Sequence, residues 1–191
     1  KYTSDLAPQG TLIAKVVRST IANGLVKSFD LAEALKVPGV VKIVTCFDVP
    51  DICFPTSGHP WSVEEAHQDV ADRKLLNRRG RIYGDDIAAV VAEDEVAAAK
   101  AARLIRVEYE EYEPVITVEQ AMAEGAPAIH EEKPDNVLAH SSFKVGSGEF
   151  SKAAEEPGLC VLDTYYDTQT VQHCHIENFI CYAYQANHKM N

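Results

Sequence analysis

Apolar residues fall in short β-type runs over the first half of the chain, and one alanine-rich helical stretch interrupts them. Thr11 to Arg18 reads as a strand with imperfect alternation. Asn23-Gly24 closes the following turn, because both residues reach positive φ cheaply. Leu25 to Phe29 returns as a strand, and Asp30 with Glu33 has the spacing of a capping box. The short helix it opens stops at Val37, since Pro38 cannot continue it and Gly39 makes the turn. Val40 to Cys46 is a β-branched strand. The central unit runs from Tyr83 to Pro114. A strand over Ile87 to Ala92 leads to Asp94 as N-cap, a helix over residues 95 to 104 with five alanines, and a strand from Ile105 to Tyr109. Small residues suit close contact of this helix with the sheet, and the pattern points Val96, Ala99, Ala102 and Leu104 inward. Lys100, Arg103 and Arg106 stay in water. Thr117-x-x-Gln120 opens a further helix that stops at Gly125. The expected core of this α/β unit, an α+β arrangement with a mixed sheet, is Val16, Leu35, Val41, Val44, Ile87, Val90, Val91, Ala99, Ala102, Ile105 and Val107.

The pattern changes after residue 125. Pro127, Pro134, Gly146, Gly148, Pro157 and Gly158 punctuate an extended connector over residues 126–158, with one short helix expected at Phe150 to Glu155. Leu159 to Tyr166 and Glu177 to Tyr184 read as strands. Two or three strands do not make a stable domain alone. Residues 159–191 therefore read as the truncated start of a second, larger domain, behind a first domain of residues 1–125.

Charge narrows the function. There are 29 acidic and 18 basic residues, a formal net charge of −11. This argues against a nucleic-acid groove, which needs a basic face, and against an anionic membrane surface. The first residues carry no apolar signal-peptide core. The five cysteines include no C-x-x-C pair, and a reduced cytoplasmic protein is the simplest reading.

Three clusters invite a chemical reading. Arg73, Lys74, Arg78, Arg79 and Arg81 follow a loop broken by Pro50, Pro55, Gly58 and Pro60. They read as a solvated surface or as a contact to a subunit or phosphate. Glu108, Glu110, Glu111 and Glu113 crowd one strand end, and a wet edge is favoured over a divalent-metal site. Gln172-His173-Cys174-His175-Ile176-Glu177 would place His173, His175 and Glu177 on one strand face. Those are zinc or iron ligand types, but a satisfied polar face is favoured and no metal ligand is assigned. No dinucleotide fingerprint, P-loop or nucleophile elbow occurs.

Four patches in order carry a family resemblance. They are Val17-Arg18-Ser19 with Asp30-x-x-x-Ala34-Leu35-x-x-Pro38-Gly39-Val40, then Thr45-x-x-Asp48-x-Pro50, then Tyr83-x-Asp-Asp-Ile-Ala-Ala-Val-Val-Ala92 with Val107-Glu108-Tyr109-Glu110, and finally Gln172-His173-x-x-Ile176-Glu177. Together they resemble the large, molybdopterin-binding subunit of the xanthine dehydrogenase and aldehyde oxidase family. The resemblance implies an α/β hammerhead domain over residues 1–125 and the first strands of the cofactor domain after the connector. It implies a molybdenum-dependent oxidoreductase that hydroxylates an N-heterocycle or an aldehyde with oxygen from water. Electrons would leave through iron–sulfur and flavin (FAD) domains or subunits, and a homodimer is a candidate assembly. Gln172, His173 and Glu177 would support the molybdenum cofactor in the full-length parent. No catalytic residue is assigned, because the family's glycine-rich loop and base glutamate are not found, and the fragment alone is expected to be inactive and to hold no cofactor. Ser19-Thr-Ile-Ala-Asn23 departs from the family's Ser-Pro-x-Ala-His turn, and Asp86 stands where a proline is frequent. Two other readings are a non-catalytic interaction module, docking through residues 48–81 and 126–157, and a small metal-binding protein using His173, His175 and Glu177.

Overall fold

The computed structural model describes residues 3–54, 73–137, 140, 142–146, 149–176 and 179–191. It forms two units, Gln9–Ser141 and a second made of Lys1–Pro8 with Ser142–Asn191.

The first unit holds β1 (Ile13–Arg18), β2 (Gly24–Asp30), β3 (Val40–Thr45), β4 (Arg79–Gly80), β5 (Asp86–Ala92), α1 (Glu95–Leu104), β6 (Arg106–Glu111) and α2 (Val118–Met122). Its strands make two antiparallel sheets, ordered β1-β5-β3 and β4-β2-β6. The class is mixed α and β as expected, but among the described residues every sheet is antiparallel. The two strands that flank α1 do not share a sheet: β5 is central in one and β6 lies at the edge of the other. The helix thus links two sheets rather than bridging neighbours in one.

Asp94 caps α1, accepting the Ala97 amide at 2.7 Å. Glu95 in the first turn and Arg103 in the last both suit the helix dipole. The buried face is Ala97, Ala98 and Ala101, with Ala102 and Ile105 partly covered. It packs on Ala34, Val37, Ile43, Val90 and Ala92. This face lies about one residue away from the expected one. Val96 is 77% exposed, Leu104 is exposed, and Ala99 is only half-buried. A true helical face recurs at three and four residues, as 97, 98, 101, 102 and 105 do. A stripe spaced only by threes drifts around the helix.

Ile87 and Val90 are buried as expected, and Val44, Val91, Ala102, Ile105 and Val107 are partly covered. Val16, Val41 and Leu35 are corrections, since all three are exposed. Val16 pairs with Ala89, on the side of the sheet away from Ile13 and Val17, which pack toward α1. Val41 stands at a register shift between Val40 and Lys42. Leu35 sits on a 3-10 turn, Ala34–Lys36, that turns Ala34 inward in its place. Asp30 accepts the Ala32 amide at 3.0 Å, but Glu33 pairs with Lys36 instead of completing a capping box. The second capping box forms in full, with Thr117 and Gln120 exchanging bonds across the start of α2. That helix ends at Met122, short of Gly125.

Residues 126–137 bond back to the body they follow. Asn136, at φ 58°, accepts the Ile129 amide and donates to the carbonyls of Ala121 and Pro127. Arg81 Nε donates to the Ile129 carbonyl at 2.8 Å.

The second unit contains α3 (Phe150–Ala154), where a short helix was expected, and a hairpin of β7 (Gln185–Ala186) and β8 (Lys189–Met190). The expected strand over 159–166 is irregular and exposed, and residues 179–184 of the second expected strand are irregular too, exposed except for the half-buried Tyr182. Glu177 and Asn178 lie outside the described residues. The apolar runs are present, yet among the described residues only Tyr184, which exchanges backbone bonds with Asn191, finds a partner, and an extended run without a partner strand leaves its amides to water. The hairpin turns on Asn187 and His188, both at positive φ, as a two-residue turn of this hand requires.

Candidate functional site

Gln172 and His173 are exposed on an irregular segment of the second unit, and Glu177 lies outside the described residues. Cys174 takes φ 51°, so the segment is not the flat strand the spacing suggested. His173 and His175 nonetheless stack, with ring centroids 5.5 Å apart and planes at 4°. Phe179 meets His175 edge-on at 6.1 Å. Two imidazoles offer a partial ligand set. Among the described residues no three histidine, cysteine or carboxylate side chains come together to hold a metal.

The acidic cluster of β6 is a paired strand edge. Glu108 accepts Ser28 Oγ at 2.7 Å, and Glu110 accepts Lys27 Nζ at 3.0 Å across the β2–β6 ladder. The lysine holds the Glu110 carboxyl below its usual range.

The basic cluster does something the sequence did not reveal. Arg79 points inward and donates from one terminal nitrogen to Asn23 Oδ1 at 2.5 Å, to the Gly24 carbonyl at 3.0 Å and to the Gly80 carbonyl at 2.7 Å. Its guanidinium lies 4.9 Å from the centre of the Tyr112 ring. Burial draws its pKa down from the ordinary arginine value. Arg78 lies over Phe47 at 5.3 Å, and Lys74 pairs with Asp51 at 2.5 Å. Arg79 ties the turn at Asn23 to β2 and β4, while Arg78 and Lys74 tie loop segments to one another. Arginine suits the task because its planar fork serves several carbonyls at once. Asn23 completes the junction by donating to the Glu113 carbonyl at 2.5 Å. The asparagine in the unusual turn therefore has a structural job. Its partners lie 56 and 90 residues away, so no local pattern could announce them.

The Thr45-x-x-Asp48 patch is a compact turn. The Thr45 hydroxyl and amide donate to Asp48 Oδ2 at 2.7 and 2.8 Å. Those bonds hold the Asp48 carboxyl below the ordinary aspartate range. A depressed folded value means that the folded chain binds this proton more weakly than the unfolded chain does. The resulting stability is complete above about pH 4, where an unfolded aspartate is ionised. It is lost as pH falls through the lower folded value. Asp48→Asn should remove this part of the acid dependence, so variant and wild type converge in denaturation midpoint below that range. Parallel acid profiles for the two would contradict the assignment.

A molybdenum cofactor needs a cradle of converging donors, and the described residues do not present one. Among them no buried polar side-chain atom lacks a partner, and residues 171–176 are all exposed.

Residues 1–113 match the aldehyde oxidase and xanthine dehydrogenase a/b hammerhead domain family. The chain is similar to the xanthine dehydrogenase molybdenum-binding subunit of Escherichia coli O157:H7, 41% identical over 187 residues, which is 98% of this chain and 24% of that protein. Among solved structures it is similar to aldehyde oxidoreductase from Desulfovibrio gigas, with a TM-score of 0.60 and 33% identity, over 70% of this chain and 15% of that one. Quinoline 2-oxidoreductase from Pseudomonas putida 86 gives 0.58 and 32%, over 69% and 16%. The chain spans about a quarter of the length of the first curated relatives it matches. A match over more than half of the chain, together with two small sheets joined through a capped alanine helix, places it: the chain belongs to the aldehyde oxidase and xanthine dehydrogenase a/b hammerhead domain family.

Proposed function

We propose that this chain serves as the hammerhead portion of the large subunit of a molybdenum hydroxylase, an oxidoreductase that hydroxylates a purine, another N-heterocycle or an aldehyde. The observation that carries the reading is the 41% identity, over nearly the whole chain, to a subunit described as the molybdenum-binding one of a xanthine dehydrogenase. On this reading residues 1–125 are the hammerhead domain, 126–158 a connector and 159–191 the opening of the cofactor domain. Molybdopterin belongs to the full-length protein, where Gln172, His173 and Glu177 would stand near its edge. When bound, that cofactor supplies the redox chemistry. The hammerhead residues supply a compact α/β body built around α1 and two antiparallel sheets. The remainder of the large subunit, and iron–sulfur and flavin domains or subunits, would be its partners, in the cytoplasm and as a homodimer. The free cysteines suit a reducing compartment. No helix among the described residues is long and apolar enough to cross a membrane.

A chimera tests this. The matched segment of the Escherichia coli molybdenum-binding subunit is replaced by this chain, and the product is expressed with its partner subunits. It should assemble, take up molybdenum and reduce an acceptor when given xanthine. A chimera that folds and assembles but excludes molybdenum would overturn the reading.

A further inference from the structure

We propose that Asn23 is a site of spontaneous deamidation, and that Arg79 and the Glu113 carbonyl hold it closed in the folded chain. Asparagine is among the thermolabile residues, and a following glycine removes the side chain that keeps the next amide away from Cγ. Of the six asparagines only Asn23 precedes a glycine. In the reaction the Gly24 amide nitrogen gives up its proton to hydroxide and bonds to Asn23 Cγ. The Cγ–Nδ2 bond breaks, and that nitrogen leaves as ammonia. Water then opens the cyclic imide to aspartate or isoaspartate. The balance is one water consumed and one ammonia released, with no oxidation or reduction.

Closure follows from the bonds around this peptide. Nδ2, the leaving nitrogen, donates to the Glu113 carbonyl at 2.5 Å, and Oδ1 accepts Arg79 at 2.5 Å. The Asn23 backbone carbonyl accepts the Tyr112 amide at 3.0 Å, and the Gly24 carbonyl accepts Arg79 at 3.0 Å. Attack needs the side-chain amide to turn its carbon toward the Gly24 nitrogen. That turn breaks the bonds to Arg79 and Glu113, so reaction waits on a local opening of the junction. A cation on Oδ1 also favours attack at Cγ where the geometry allows it, so removing Arg79 separates shielding from activation. The products do not fit the closed junction. Aspartate sets a carboxylate oxygen against the Glu113 carbonyl, an acceptor facing an acceptor. Isoaspartate lengthens the backbone by one carbon next to Gly24, where not even a Cβ clears the Glu110 carbonyl. Deamidation therefore loosens the turn between β1 and β2, and it does not reverse.

The test is mass-spectrometric peptide mapping of the 191-residue chain held at mildly alkaline pH, either folded or in urea. In urea Asn23 should be the first asparagine to deamidate. In the folded chain it should react at least about tenfold more slowly. Arg79→Ala should raise the folded rate about tenfold, the weight of one charge-assisted hydrogen bond. Where circular dichroism finds that variant unfolded, Arg79→Lys keeps the charge, loses the planar fork and should give a smaller rise in a folded chain. Equal rates in folded and unfolded chains, or another asparagine reacting first in urea, would overturn the proposal. So would a rate that stays the same or falls in the folded Arg79 variant, since that makes Arg79 no shield.

Discussion

Ala98→Asp should leave the first unit unfolded at room temperature. Ala98 is 0% exposed and sits in the cluster formed with Val90, Ala92 and Ile43. Nothing in that cluster can pair with a carboxylate. Burying such a group raises its pKa by as much as about 3–5 units, which corresponds to roughly 4–7 kcal/mol at neutral pH. The added atoms also have no space in a helix–sheet contact that alanine makes close. The total approaches the whole stability of a typical domain, about 5–15 kcal/mol. Val96→Asp is the control two positions away. Val96 faces water in the first turn of α1, so an acid there should change stability by no more than about 0.5 kcal/mol. Circular dichroism at 25 °C separates the two. A folded Ala98→Asp chain, or an unfolded Val96→Asp chain, would mean that the buried face of α1 is misassigned.

Gly24→Ala should be the second severe change. Gly24 opens β2 and pairs with both Gly80 and Glu111. A Cβ there would overlap the Glu110 carbonyl oxygen and collide with Cδ1 of Ile21. The isoleucine can swing away, but the carbonyl belongs to the ladder and cannot move without opening the β2–β6 pairing. Forced overpacking of this kind costs about 3 kcal/mol. For a chain of this length that lowers Tm by roughly 10 °C. Gly80→Ala, directly opposite, meets nothing closer than 3.6 Å and should be neutral or slightly stabilising. If the two variants melt alike, close approach is not what keeps position 24 glycine.

Much of this body was legible because its signals are local. Asp94 announced the helix, Thr117 with Gln120 announced the next, and the short apolar run at 87–92 announced the central strand. Orientation was harder to read. With five alanines in ten residues, α1 has almost no contrast between its faces, and Val96 draws the eye to the wrong one. Whether β5 and β6 share a sheet is decided by pairings distant in sequence, to β1 and β3 in one case and β2 in the other. No window of the sequence contains them. The same holds for Arg79, whose charge suggested a surface until its bonds to Asn23 and Gly24 were seen. Residues 159–184 failed for the opposite reason. Their local pattern is β-like, but a strand exists only with a partner, and among the described residues only Tyr184 finds one, exchanging backbone bonds with Asn191.

On the proposed reading this chain contributes framework, and metal chemistry belongs to a longer protein that contains it. Elemental analysis of the purified 191-residue chain tests that most directly. His173 and His175 stack, and two imidazoles alone make an incomplete site. Far less than one equivalent of molybdenum, zinc or iron per chain is expected, with no change in His173→Ala. Close to one equivalent of any of them, lost in His173→Ala, would contradict it and make the chain a metal protein in its own right.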